Sequence, residues 1–377
     1  MKEKLSKVLT IFVRLWTALW REGPRHLLKA LSRVLLTIES WLLDGKRAAY
    51  GIAVTRILIG CTALGLLLTN FGTRHYTYGA AAAWSGHLEK QYGIFNDVWL
   101  FQLFQKIAGN EVLVTVYFLV LMALSLALIV GYRARVVLPI LLVLWINLIE
   151  APYFGGDQGD NALRIAMILM LFTDHSGKLS FDAVRRKNAV ASEKSVFRKL
   201  LNGNRVLPVE LTSLLHNLAI VALACQVFMI YVAGALFKAG GATWKDGSAI
   251  YGPLSTMRFS PWPEINDLII VSAGVVALGS IGSIIIQIVF PGALLHRWTR
   301  IPILFALVSF HVAIALLMGI PWFSLSMIAI DAIFVRDVTW LRLLGWIKHS
   351  AQPPNEAKNN SSTEDAEVTR QPEKALV

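Results

Sequence analysis

Charge and cysteine are both scarce in this chain. Lysine, arginine, aspartate and glutamate make up only 16% of its 377 residues, against roughly 25% in an ordinary soluble domain, and the apolar residues come in blocks. That distribution excludes a soluble globular protein and implies an all-α, polytopic transmembrane helical bundle. The only cysteines, Cys61 and Cys225, fall inside apolar runs, which excludes a disulfide framework and a thiolate metal cluster. No metal-ligand spacing, nucleotide-binding glycine loop or Ser-His-Asp arrangement is visible. The net charge of +12 does not point to nucleic acid. The basic residues lie in short segments between apolar runs, where they set topology and meet anionic lipid headgroups.

What is present is a succession of apolar runs. Residues 1–49 interleave Lys and Arg with Leu, Val, Trp16, Trp20 and Trp41, a pattern that predicts basic amphipathic helices at the membrane interface. They are too long and too charged for a signal peptide. Spans are predicted at Gly51–Thr69, Val112–Val130, Val136–Ile149, Asn161–Phe172, Leu211–Phe237, Asn266–Phe290, Ile303–Met318 and Trp322–Phe334, about eight in all. Gly274, Gly279, Gly282 and Ser283 are the expected small-residue packing positions of the sixth. The loop from Asn70 to Asn110, rich in aromatic residues, reads as interfacial or re-entrant. Asp174 to Pro208 reads as a polar, basic cytoplasmic loop, and residues 350–377, nearly devoid of large apolar side chains, as a disordered cytoplasmic tail.

Charge asymmetry orients this map. With the N-terminus inside, the inner segments carry 28 Lys and Arg and the outer loops 6, while Arg56 and Arg164 lie within spans. The positive-inside rule therefore predicts a multi-pass protein of the cell membrane with both termini cytoplasmic.

The stretch with most chemistry is Tyr231–Tyr251, YVAGALFKAGGATWKDGSAIY. It closes a run of 27 residues, Leu211 to Phe237, without a charged side chain. Lys238 arrives at the end of that helix, Gly240 and Gly241 free the backbone, and Trp244 sits where an interfacial aromatic anchors a loop. Position alone leaves Lys238 two readings: a cation snorkelling to the headgroups, or a base in a water-poor site. Asp157 and Asp160, on the same outer side, are candidates for a polar pocket with Lys238 and Arg164, the alternative being a solvated glycine-rich loop. The i, i+4 spacing of Asp160 and Arg164 predicts an ion pair near a helix N-terminus. His311 and Asp331, inside apolar runs, are candidates because ionisable groups within a membrane are functional or hydrogen-bonded between helices.

Three stretches, Asn147–Asp182 (with GGDQGDNALRIAMILMLF), Tyr231–Tyr251 and His311–Asp331 (HVAIALLMGIPWFSLSMIAID), resemble in order and spacing the motifs of the HTTM domain. That domain is the membrane part shared by vitamin K-dependent gamma-carboxylase and many bacterial proteins, and the resemblance covers roughly residues 50–342. The first span is also similar to the start of the sporulation-delaying protein B group, which is implicated in maturing a secreted peptide toxin. In the carboxylase, the lysine of the motif matching AGALFKAGGATW deprotonates the vitamin K hydroquinone, and it falls on Lys238 here. The resemblance thus implies a quinone-like cofactor or substrate and a base at Lys238. The carboxylase histidine near the GGD-like stretch has no counterpart, since Ala151-Pro152-Tyr153 stands there, so glutamate carboxylation itself is not implied. Three function classes follow. They are an intramembrane enzyme acting on a lipid-soluble or peptide substrate, a maturation or immunity factor for a secreted peptide or small partner protein, and a transporter or channel.

Overall fold

The computed structural model describes residues 29, 31–81, 98–150, 157–188, 199 and 206–350. Among them every regular element is helical. The principal helices are α1 (Ala49–Asn70), α2 (Glu111–Val130), α3 (Ala134–Ile149), α4 (Gln158–Met170), α5 (Val209–Gly240), α6 (Ala273–Ala293), α7 (Arg297–Leu317), α8 (Pro321–Asp331) and α9 (Asp337–Ser350). Five of these, α1, α2, α5, α6 and α7, are long and apolar enough to cross a membrane. α3 and α8 are shorter apolar helices.

Local chemistry starts and stops these helices where the apolar runs do. Asn110 caps α2 by accepting from the N–H groups of Val112 and Leu113, and Gly131 ends the helix in the left-handed region at φ 69°. Pro321 opens α8 at its first turn, where its missing N–H costs nothing. α1 packs on α2 and α8, α5 on α6, and α7 on both α6 and α8, while α4 lies against α3, α5 and α8. α8 therefore joins the first half of the bundle to the second.

Close approach is concentrated on α1. A Cβ at Gly51 would stand 2.9 Å from the Ala332 carbonyl oxygen, and one at Gly65 would enter the Trp322 ring at 2.1 Å. The small residues expected to pack the sixth span divide. A Cβ at Gly279 would be tight, at 2.5 Å from the Ile250 side chain, whereas Gly274 and Gly282 face open space, and Ser283 is buried and bonds within its own helix.

The sixth span is itself corrected. Asn266–Phe290 is not one helix: Pro263–Ile270 ends before an extended Ser272, and α6 begins at Ala273. The buried Asn266 explains the break. Its Nδ2 donates to the carbonyls of Leu254 and Leu317 and to Ser260 Oγ, which holds the short helix over the end of α7 and out of line with α6. α7 begins at Arg297, not at Ile303. Of the predicted amphipathic N-terminal region, residues 31–43 are helical and expose Leu31, Val34, Leu35 and Ile38. Residues 1–28, 30, 82–97, 151–156, 189–198, 200–205 and the tail from 351 onward lie outside the described residues.

The end of the bundle opposite Lys238 is locked by polar contacts. Asp337 accepts from the Ala49 and Tyr50 N–H groups at the start of α1. Asn217 donates to the carbonyls of Trp41, Leu42 and Gly45. Arg56, the arginine within the first span, is fully buried and donates to the Leu179 carbonyl at 2.5 Å. Asp182 caps α3 through the N–H groups of Arg133 and Ala134. Asp174 receives Lys46 at 2.6 Å, Arg186 at 3.0 Å and Arg135 at 3.1 Å.

Burial alone would raise the Asp174 carboxyl, but the charges of Arg186, Lys46 and Arg135 overcome it and hold the group far below the usual carboxylate range. A depressed folded-state value means that this stabilisation is complete above about pH 4, where an unfolded aspartate is also ionised, and declines as the pH falls below that. Asp174→Asn should therefore cost about 3 kcal/mol at neutral pH, because Lys46, Arg135 and Arg186 all lose this carboxylate. In a thermal melt of the purified protein the gap between wild type and variant should narrow as the pH is lowered through this range. A gap independent of pH would refute the assignment.

Candidate functional site

At the end of α5 the helical backbone gives way to an extended Gly241 and then a short helix, Ala242–Lys245. This turn folds Trp244 back over Lys238, whose Nζ lies 5.0 Å from the Trp244 ring centroid and 5.5 Å from that of Phe310 on α7. Nζ also donates to Gln287 Oε1 on α6 at 3.0 Å. Among the described residues Lys238 has no carboxylate within ion-pair distance. Two aromatic faces and one amide are weaker compensation for an ammonium than an anion.

Lys238 stands between two cavities. The more polar one, of about 420 Å³, sets Gln158, Asn161, Gln226, Tyr231, Gln287 and His311 among apolar walls. The other, of about 470 Å³, is nearly all apolar, with Trp244, Ile250, Leu254, Leu278 and Leu317 among its walls. Lys238, Phe310 and Ile314 line both. A molecule spanning them would have a polar part on one side of the amine and a hydrocarbon part on the other.

Deeper in the bundle the structure joins His311 and Asp331 through Tyr231. The Tyr231 hydroxyl donates to Asp331 Oδ2 at 2.7 Å and lies 3.0 Å from His311 Nε2. With its one proton directed to Asp331, the hydroxyl oxygen accepts from an Nε2–H of His311. All three side chains are buried. Asp331 Oδ1 and His311 Nδ1 are buried and have no hydrogen-bond partner among the described residues. Because His311 lines the polar cavity, this network borders the space in front of Lys238.

The remaining candidates are placed differently. Asp157 and Asp160 form a capping box at the start of α4, each carboxylate accepting from the other residue's N–H. Neither lines the cavity that Lys238 borders; the adjacent Gln158 and Asn161 do. The i, i+4 pair expected of Asp160 and Arg164 is replaced by another. Arg164 reaches Glu150 Oε1 at 2.7 Å and Asn161 Oδ1 at 2.7 Å, so it positions a cavity residue. The cap occupies Asp160, which is why the local spacing misled.

Glu150 and Arg164 are both mostly enclosed, with side chains 14% and 13% exposed. Glu150→Gln or Arg164→Gln alone should destabilise the protein by removing this pair, and the double variant should cost less than the two single losses added, because both single changes delete the same interaction. Thermal melts of the three variants check this, and strict additivity would refute the coupling.

Gln287, Tyr231, Gln158, Asn161 and Glu150 were not singled out from sequence as site residues. Gln287 did carry a signal, being the one amide in the apolar stretch Ala273–Phe290. Comparison with protein-family models, curated proteins and solved structures gives no match for this chain.

Proposed function

We propose that this chain is an HTTM-type integral membrane enzyme that performs acid–base chemistry on a lipid-soluble substrate, with Lys238 as the base. The single observation that carries this reading is the placement of Lys238 at the common wall of a polar and an apolar cavity, with no carboxylate partner among the described residues. An interfacial anchor has no use for that enclosure. A base does, because a neutral amine takes the substrate proton and becomes an ammonium that the Gln287 carbonyl and the Trp244 and Phe310 rings receive.

The residues present suit the quinone-like group that the HTTM resemblance implies. The apolar cavity would take its chain, Trp244 and Phe310 its ring, and Lys238 with Gln287 a head oxygen; when bound, such a group supplies the acidic hydroxyl. Around the eight predicted spans, α3, α4 and α8 serve as short crossings beside the five long helices, and both termini lie inside. A reporter fused after Val377 should be active only in the cytoplasm, and activity outside would contradict this topology.

The test of function is chemical. Membranes from wild-type, deletion and Lys238→Ala strains are extracted and compared by lipid and peptide mass spectrometry. A species that accumulates in both mutant strains supports the enzyme and identifies its substrate class. Extracts of Lys238→Ala that match wild type would contradict it, and a change confined to a secreted peptide would favour the maturation reading.

A further inference from the structure

A third cavity, of about 640 Å³, lies at the opposite end of the bundle from Lys238. One wall is the segment Gly177–Ser180 with the helix Phe181–Asn188, and the other is α9 through Leu341, Leu344 and Gly345. Its charged lining is Lys178, Arg186 and Lys187, without a carboxylate.

This basic wall is preformed. Leu179 adopts a left-handed backbone at φ 50°, and its carbonyl is clamped by the buried Arg56. Ser180 Oγ donates to the Ser176 carbonyl at 2.6 Å. Arg186 is fixed by the Ser176 carbonyl at 2.6 Å and by Asp174. Asp174 is shared with Lys46 and Arg135, and no carboxylate lines the cavity itself. Lys178 Nζ rests 5.3 Å from the Tyr50 ring centroid. On the same short helix Phe181 and Val184 are exposed, three residues apart on one face, and Leu341 is exposed on the α9 wall. A positive cavity rimmed by exposed apolar side chains matches a molecule with an anionic head and hydrocarbon tails.

We propose that this cavity binds the phosphate of an anionic phospholipid, a second ligand site independent of Lys238. Its cations attract the phosphodiester, Arg186 from a fixed position and Lys178 and Lys187 from flexible stems. The exposed apolar residues of both walls contact the acyl chains.

The experiment uses the full chain in nanodiscs of phosphatidylcholine and phosphatidylglycerol in equal parts, with retained lipid read by native mass spectrometry. Wild type should keep phosphatidylglycerol in preference to phosphatidylcholine. Lys178→Ala with Lys187→Ala should weaken that retention about thirtyfold, since each basic residue at an anionic surface contributes roughly fivefold. Gly345→Phe keeps every charge and fills the cavity, and a Cβ at Gly345 meets open space, so the helix tolerates it. It too should lose phosphatidylglycerol while melting as wild type does. Wild-type retention by Gly345→Phe would reduce the effect to general surface charge and overturn the site. Displacement of the lipid by inorganic phosphate or glycerol phosphate would show that a soluble phosphate is the ligand and overturn the lipid assignment.

Discussion

Tyr231→Phe is expected to destabilise the protein by about 3 kcal/mol, although it removes a single oxygen. The phenylalanine ring keeps the edge contact with Phe290, whose centroid is 5.1 Å away. What disappears is the hydroxyl that bonds Asp331 and lies against His311. Asp331 Oδ1 and His311 Nδ1 already lack partners among the described residues, so the substitution leaves both side chains with none there. A buried polar group left unsatisfied costs about 1–3 kcal/mol, and more where charge is involved. Replacing the partners as well should reverse much of the loss, because apolar groups of similar shape in place of a whole buried polar cluster are nearly neutral. Thermal melts of Tyr231→Phe and of the triple variant Tyr231→Phe, His311→Leu, Asp331→Leu would show this. A single variant as stable as wild type, or a triple variant less stable than the single, would contradict the Tyr231 hydroxyl as the bridge of this buried cluster.

The same residues show what was legible in the sequence. Apolar runs forecast the long helices closely: Gly51–Thr69 became Ala49–Asn70 and Val112–Val130 became Glu111–Val130, because the length of an apolar stretch is a local property. Lys238, His311 and Asp331 were readable as candidates for the same reason, each being an ionisable residue in or at the end of an apolar run.

Their partners were not readable. Tyr231 lies 80 residues from His311 and 100 from Asp331 along the chain, and only the packing of α5 against its neighbours brings them together. Gln287 reaches Lys238 from 49 residues away. Local rules failed where two of them competed for one side chain. Helix pairing and helix capping both claim Asp160, and the cap takes it. Small residues in the sixth span advertised close packing, and Gly279 is tight against Ile250, while Gly274 and Gly282 face open space and α1 meets the Trp322 ring of α8 and the backbone of Ala332 just beyond it.

The central claim is that Lys238 transfers a proton and is not a topological anchor, and one substitution separates the two roles. Lys238→Arg preserves positive charge and a long stem, so an anchor would survive it, since arginine snorkels as lysine does. A base would not survive, because arginine keeps its proton at any working pH. The planar guanidinium must also fit against Gln287, Trp244 and Phe310, which now hold a compact ammonium. Loss of a positioned general base lowers the rate by about 10²–10⁴-fold. The decisive measurement is complementation of the deletion phenotype by Lys238→Arg, with wild type and variant shown to reach the membrane in equal abundance. Failure to complement is the predicted result; full complementation would contradict the catalytic role and leave Lys238 as an anchor.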